Sequence, residues 1–153
     1  MNILINAANV RFGGGVTVAK NIINSLIADK ANRYTLLLPR NAGYSFSESE
    51  EVRIIYIEDK FHFNLLYKIR FVRWGFGKLV KELGADFVFS LGNVAFPCKV
   101  PHLVLIQNAY LFYPESELWK RLPFKFKWYI KMANMQTAFS LRYADGFFVQ
   151  TDV

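Results

Sequence analysis

Short apolar runs separated by stretches of helical periodicity organise this chain. Strand candidates are Asn2–Ala8, Thr35–Pro39, Val52–Glu58, Asp86–Leu91, Leu103–Gln107 and Phe147–Thr151. Their cores, such as Leu36-Leu37-Leu38, Ile54-Ile55-Tyr56-Ile57 and Leu103-Val104-Leu105-Ile106, are continuous rather than alternating, the pattern of strands covered on both faces. Between them, apolar residues recur at helical spacing over Val16–Ala28, about Asn64–Leu83, and Glu117–Tyr143 as one or two helices. Strands alternating with helices predict an α/β domain with a doubly wound, mostly parallel sheet and helices on both faces. Asn41–Glu51 is polar and acidic, a surface loop. Ligands of such sheets bind beyond the carboxyl ends of the strands. The segments to inspect are therefore Asn9–Gly15, Gly92–Phe96, Gln107–Phe112 and Thr151.

The first of these carries the clearest chemistry. Arg11-Phe12-Gly13-Gly14-Gly15 lies between an apolar strand and an amphipathic helix. Consecutive glycines remove every Cβ from the turn, so backbone N–H groups can approach a ligand at the positive end of a helix dipole. That suits a phosphate. A tight turn alone would need only one glycine. A dinucleotide fingerprint is absent, because Val16, Thr17 and Val18 follow Gly15 and the second strand ends Leu38-Pro39-Arg40 with no acid for a ribose. A P-loop is excluded as well, since no Gly-Lys-Ser/Thr follows. A looser diphosphate or sugar contact remains.

Length and composition narrow the class. The 153 residues fit one domain with a real core, 53% hydrophobic and 17% aromatic, too apolar for disorder. No run of 18 uncharged apolar residues occurs to span a bilayer, and no basic-then-apolar leader opens the chain. The single Cys98 excludes a disulfide framework. With His62 and His102 the only histidines, there is little material for a zinc site or a Ser-His-Asp centre. No metal site is expected, and a reducing cytoplasm fits the cysteine usage.

Four segments together resemble a family. They are the strand–Arg-Phe-Gly-Gly-Gly–helix of Asn2–Asn24, then Gly84-Ala85-Asp86-Phe87-Val88-Phe89-Ser90, then Val100-Pro101-His102-Leu103-Val104-Leu105-Ile106-Gln107-Asn108, and finally Tyr143-Ala144-Asp145-Gly146-Phe147-Phe148-Val149-Gln150-Thr151. In that order they resemble the Rossmann-like N-terminal half of retaining, GT-B-fold, group 1 (family four) glycosyltransferases, over essentially the whole of residues 1–153. The resemblance implies an acceptor-side domain facing a donor domain across a cleft, with a nucleotide-diphosphate sugar as donor substrate and no further cofactor. It places Gly13, Gly14 and Gly15 against the donor phosphates and sugar. Gln107-Asn108 stands where many relatives have His-Asp, a departure that leaves a positioning role and removes an acid–base one; turn chemistry after the strand is the plain alternative. Arg11, Asn93 and Thr151, which follow other strands, are acceptor-side candidates. The donor domain's Glu-x7-Glu region is absent from these residues, so the expectation is one half of a two-domain enzyme, inactive alone. A non-catalytic partner subunit fits the same sequence.

Charge adds a second expectation. Lys60–Lys81 and Leu118–Arg142 hold twelve of the 19 basic residues and no acid, leaving the remainder at a net −5. On the first helix Phe63, Tyr67, Phe71 and Trp74 form a second apolar stripe beside Arg70, distinct from the core stripe of Phe61, Leu65, Ile69 and Val72. On the second, Phe124 and Trp128 stand among Lys120, Lys125, Lys127 and Lys131, while Leu118, Leu122, Phe126, Tyr129 and Ile130 form the expected core face. Aromatic rings interleaved with cations read as helices lying on an anionic membrane, each basic residue contributing on the order of 1 kcal/mol. A lipid-linked or glycan acceptor at the inner face of the cell membrane, in bacterial surface polysaccharide or lipopolysaccharide assembly, follows as the expectation. A nucleic-acid-binding module is the rival reading; it would place aromatics on an exposed sheet or groove, and no RNP-like signature occurs.

Overall fold

A computed structural model describes residues 1–57, 70–107 and 117–149. Six strands, β1 (Asn2–Asn6), β2 (Arg33–Pro39), β3 (Val52–Ile57), β4 (Phe87–Ser90), β5 (His102–Ile106) and β6 (Gly146–Val149), form one sheet in the order β3-β2-β1-β4-β5-β6. Every pairing is parallel. The α/β, doubly wound expectation holds; β2 begins two residues and β5 and β6 one residue before the expected starts, whereas β1 ends two residues early, β4 loses one residue at each end and β5 ends one residue early.

The helices are α1 (Gly14–Ile27), α2 (Phe76–Glu82), α3 (Glu117–Arg121) and α4 (Phe124–Ser140). A π-turn, Phe71–Gly75, precedes α2, and a 3₁₀ turn, Leu141–Tyr143, follows α4. Pro123 separates α3 from α4: its ring fixes an extended conformation (φ −58°, ψ 147°), and its carbonyl accepts from the amides of Phe126 and Lys127.

The two faces of the sheet bury separate cores. On one, Ala19 and Ile23 of α1 pack on Ile5, Leu36 and Leu38. On the other, Phe76 and Val80 of α2 pack on Leu4, Leu37 and Val88. Val104 and Ile106 belong to this second face, since Val104 is in register with Ser90, two residues beyond Val88. They meet Ala95, Leu141 and Ala144. The α2 region and the carboxyl end of α4 thus lie on one face. Only Thr137 and Ser140 of α4 are buried, and the Ser140 hydroxyl accepts from the amide of Ala95.

Two expectations about packing change here. Phe126 and Tyr129 were expected in the core, yet they are 60% and 70% exposed, because the amino-terminal part of α4 buries no residue. Phe71, assigned to an outward stripe, is half-buried against the α2 core, its ring edge-on to Phe76. The π-turn is the cause: its wider i→i+5 winding over Phe71–Gly75 changes the angle between Phe71 and Trp74 from that of an α-helical i, i+3 pair. Trp74 remains outward.

Candidate functional site

The strand order reverses between β1 and β4, so the loops leaving their carboxyl ends diverge around a crevice, the usual ligand position in such sheets. The glycine turn, Gly92-Asn93 and Gln107 all emerge there. The loops after β1 and β4 are in contact, since a Cβ on Gly92 would stand 3.1 Å from that of Asn9.

Gly13 takes φ 68° and ψ −158° ahead of α1, a left-handed conformation that glycine adopts without strain. Helix α1 starts at Gly14, two residues earlier than its apolar periodicity indicates, so Gly14 and Gly15 form its first turn. Amides there have no carbonyl one turn earlier to bond. No acidic residue lies in the first turn, leaving the positive end of the helix unopposed within its own helix. Cβ atoms built on Gly13 or Gly14 meet nothing within 4 Å. These two glycines border open space.

Gly15 does not. A Cβ there would lie 2.9 Å from Oε1 of Gln107 and 3.5 Å from Val10. Gln107 is held in place from two sides: its backbone N–H donates to Oδ1 of Asn93, and its Nε2 donates to the Leu91 carbonyl at 3.3 Å. Spending the amide nitrogen on Leu91 turns the acceptor, Oε1, toward the glycine turn. Asn93 has φ 61°, the left-handed conformation that asparagine tolerates better than most side chains. Its own amide donates to Leu105 at 3.2 Å. The site therefore combines helix-terminal N–H donors with a fixed carbonyl acceptor. A sugar carrying a phosphate presents the complementary groups.

The structure brings Gly15, Gln107 and Asn93 together, with Arg11 half-buried in the glycine loop itself. Asn108, Thr151, Phe63 and Tyr67 lie outside the described residues. Arg70, Phe71 and Trp74 line a cavity of about 270 Å³ with Gly75 and Lys78, and Phe124, Lys125, Trp128 and Lys131 are exposed on α4. Lys127 is half-buried, its Nζ donating to the Lys120 carbonyl at the end of α3. Two roles were not assigned from sequence: Asn93 as the clamp on Gln107, and Phe12, 81% exposed beside the glycines. The Phe12-Gly13 neighbourhood was the only signal for the latter.

Ser90, His102 and Asp145 also gather, but their wiring is structural. The Ser90 hydroxyl and His102 Nε2 are 2.8 Å apart, both residues wholly buried. His102 Nδ1 faces the Phe96 carbonyl at 3.2 Å, which can only accept, so Nδ1 carries the proton and Nε2 accepts from Ser90. The serine oxygen accepts in turn from Nδ2 of Asn6. Asp145 takes the backbone N–H of His102 rather than the ring. Burial pushes the His102 pKa down from 6.5, against the opposing effects of the Phe96 carbonyl and Asp145, so the ring is neutral. Its hydrogen is committed, and no substrate reaches it.

No family model matches the chain, and no curated protein matches it. Solved structures do. Apo UGT2 from Phytolacca americana matches with a TM-score of 0.57 at 13% identity, over 99% of this chain and 46% of that one. UGT2 complexed with UDP-2fluoro-glucose and pterostilbene matches at 0.56 and 13%, over 99% and 47%. The chain spans about half the length of the solved structures it matches. The chain thus shares the fold of about half of each UGT2 chain, a similarity of fold at low identity.

Proposed function

We propose that this chain is the acceptor-side domain of a retaining glycosyltransferase that moves a sugar from a nucleotide-diphosphate donor to a lipid-linked or glycan acceptor. The observation that carries the reading is the juxtaposition of Gly15 and Gln107 at the point where strand order reverses. Donors of the glycine turn would face the diphosphate, and the Gln107 carbonyl would accept from a hydroxyl of the sugar or acceptor. Gln107 cannot exchange a proton near neutral pH, so its contribution is orientation. Charge developing on the leaving diphosphate would be met by amides and basic side chains. The solved UGT2 complex holds a UDP-sugar analogue together with a second small molecule, which fits a donor-plus-acceptor cleft in this fold. A donor domain would complete the site. Family-four membership, a membrane-borne acceptor and action at the inner membrane face in surface polysaccharide assembly belong to the same proposal. The acid-free basic stretches and the exposed aromatics of α4 support the membrane part.

The test is transfer by the protein carrying this domain, from radiolabelled nucleotide-diphosphate sugars to a lipid extract, with product configuration read by NMR. Transfer with the donor's anomeric configuration kept supports the reading. Inversion would overturn the retaining assignment. No transfer from any donor, together with tight RNA binding, would favour the nucleic-acid alternative.

A further inference from the structure

Helix α4 has two unlike sides. At 3.6 residues per turn, Phe124, Met135, Trp128, Phe139 and Met132 fall within an arc of about 80°. They are 80%, 59%, 59%, 61% and 41% exposed, in the same order. Thr137 and Ser140, the buried residues of the helix, fall on the opposite side. The outward arc is apolar along the entire 17-residue helix, about 25 Å. Sequence periodicity picked out Phe124 and Trp128; the structure adds Met132, Met135 and Phe139.

Cations border the arc. Lys131 flanks one edge and Lys125 the other, both exposed. At the far end Arg142 lies 3.7 Å over the Phe139 ring and donates to the Tyr143 hydroxyl at 2.7 Å. No acid occurs from Leu118 to Arg142. An apolar stripe edged only by positive charge complements a surface that is apolar beneath and anionic above.

We propose that α4 is an interfacial helix that lies flat on an anionic lipid surface, with Phe124, Trp128, Met132, Met135 and Phe139 immersed and Lys125, Lys131 and Arg142 at headgroup level. This rests on the membrane part of the proposed function and specifies its geometry. A stripe spanning the whole helix, rather than one end, sets the axis parallel to the surface. Phe126 and Tyr129, equally exposed but outside the arc, stay out of the lipid.

The experiment is flotation of the full chain with vesicles of phosphatidylglycerol and phosphatidylcholine, and with phosphatidylcholine alone. Binding to the anionic vesicles, weakened by salt, is expected. Met132→Ser, Met135→Ser and Phe139→Ser combined should reduce binding at least tenfold, with unchanged circular dichroism. Phe126→Ser with Tyr129→Ser should leave binding within twofold. Equal losses in the two variants, absence of flotation, or a dimer abolished by the stripe variant would overturn the proposal, the last in favour of a second copy. Transfer to a detergent-solubilised acceptor, measured in parallel with the protein carrying this domain, separates the two readings. If it persists where flotation fails, the lipid-surface inference falls and the glycosyltransferase reading stands.

Discussion

Gly15 and Gln107 occupy one space: the glutamine carbonyl oxygen sits 2.9 Å from where a side chain at position 15 would begin. The absence of a Cβ there is a condition for the position of the glutamine, and Gln107 is tied by its Nε2 to Leu91 and by its N–H to Asn93. The backbone of Gly15 is not left-handed, so no conformational strain requires glycine at this position.

Gly15→Val should therefore lower transfer at least about tenfold in the enzyme containing this domain, by displacing Gln107 and blocking the turn amides. Thermal stability should move little, since the obstructing neighbour is a side-chain end. Paired activity and melting measurements decide it. A variant that melts early while keeping its specific activity would show the glycine to be structural.

Gln107→Ala should reduce kcat more than it raises KM for the donor, because orientation rather than ground-state binding is lost. Gln107→Glu keeps the shape but replaces the Nε2 donor to Leu91 with an oxygen, so it should rescue little. A variant of either kind with full turnover would remove Gln107 from the site.

Asn93→Ala combines a left-handed backbone at a non-glycine residue with loss of the acceptor for the Gln107 amide. A cost of about 2 kcal/mol is expected from the two effects. Asn93→Gly keeps the backbone relaxed, so chemical denaturation should show a smaller loss. Turnover should fall in both.

His102 makes stability depend on pH. Its folded pKa lies below 6.5, so the unfolded chain binds a proton that the folded one refuses. Stability from this group is full above 6.5 and is lost as pH falls from there toward the folded value. Melting temperatures measured between about pH 8 and pH 5 should drop on the acid side. His102→Gln should reduce that slope. A flat profile would mean that His102 binds its proton equally in the folded and unfolded chain, contrary to its burial.

Tyr44 donates its hydroxyl to the Val10 carbonyl at 3.1 Å, and burial raises its pKa to about 12. Tyr44→Phe should keep the stacking on Phe46 and cost about 1 kcal/mol by denaturant unfolding. Absorbance titration should find a tyrosine ionising near pH 12 that Tyr44→Phe removes.

The continuous runs at Leu36–Leu38 and Leu103–Ile106 were enough to predict a parallel sheet, because strands covered on both faces leave no polar alternation. The triple glycine marked the helix terminus by itself, since backbone exposure there is a local property. Gln107 was legible as a strand-end residue. Its contact with Gly15 was not, because 92 residues separate positions 15 and 107 and only the order β1-β4-β5 brings them together. Asn93 was visible only as one polar residue among several after a strand; its role depends on a left-handed backbone set by its loop.

Periodicity failed where packing is unequal along one helix. Phe126 and Tyr129 have the spacing of core residues, yet spacing cannot say how far the sheet extends beneath a helix. Phe71 was displaced from its stripe by a π-turn that no residue type announced. Sequence alone determined the α/β class, the anion-suited turn and the two basic stretches, all consequences of local residue chemistry. Tertiary structure alone decided which loops meet, which way the Gln107 amide faces and which side of α4 remains uncovered, because each depends on where distant segments stop.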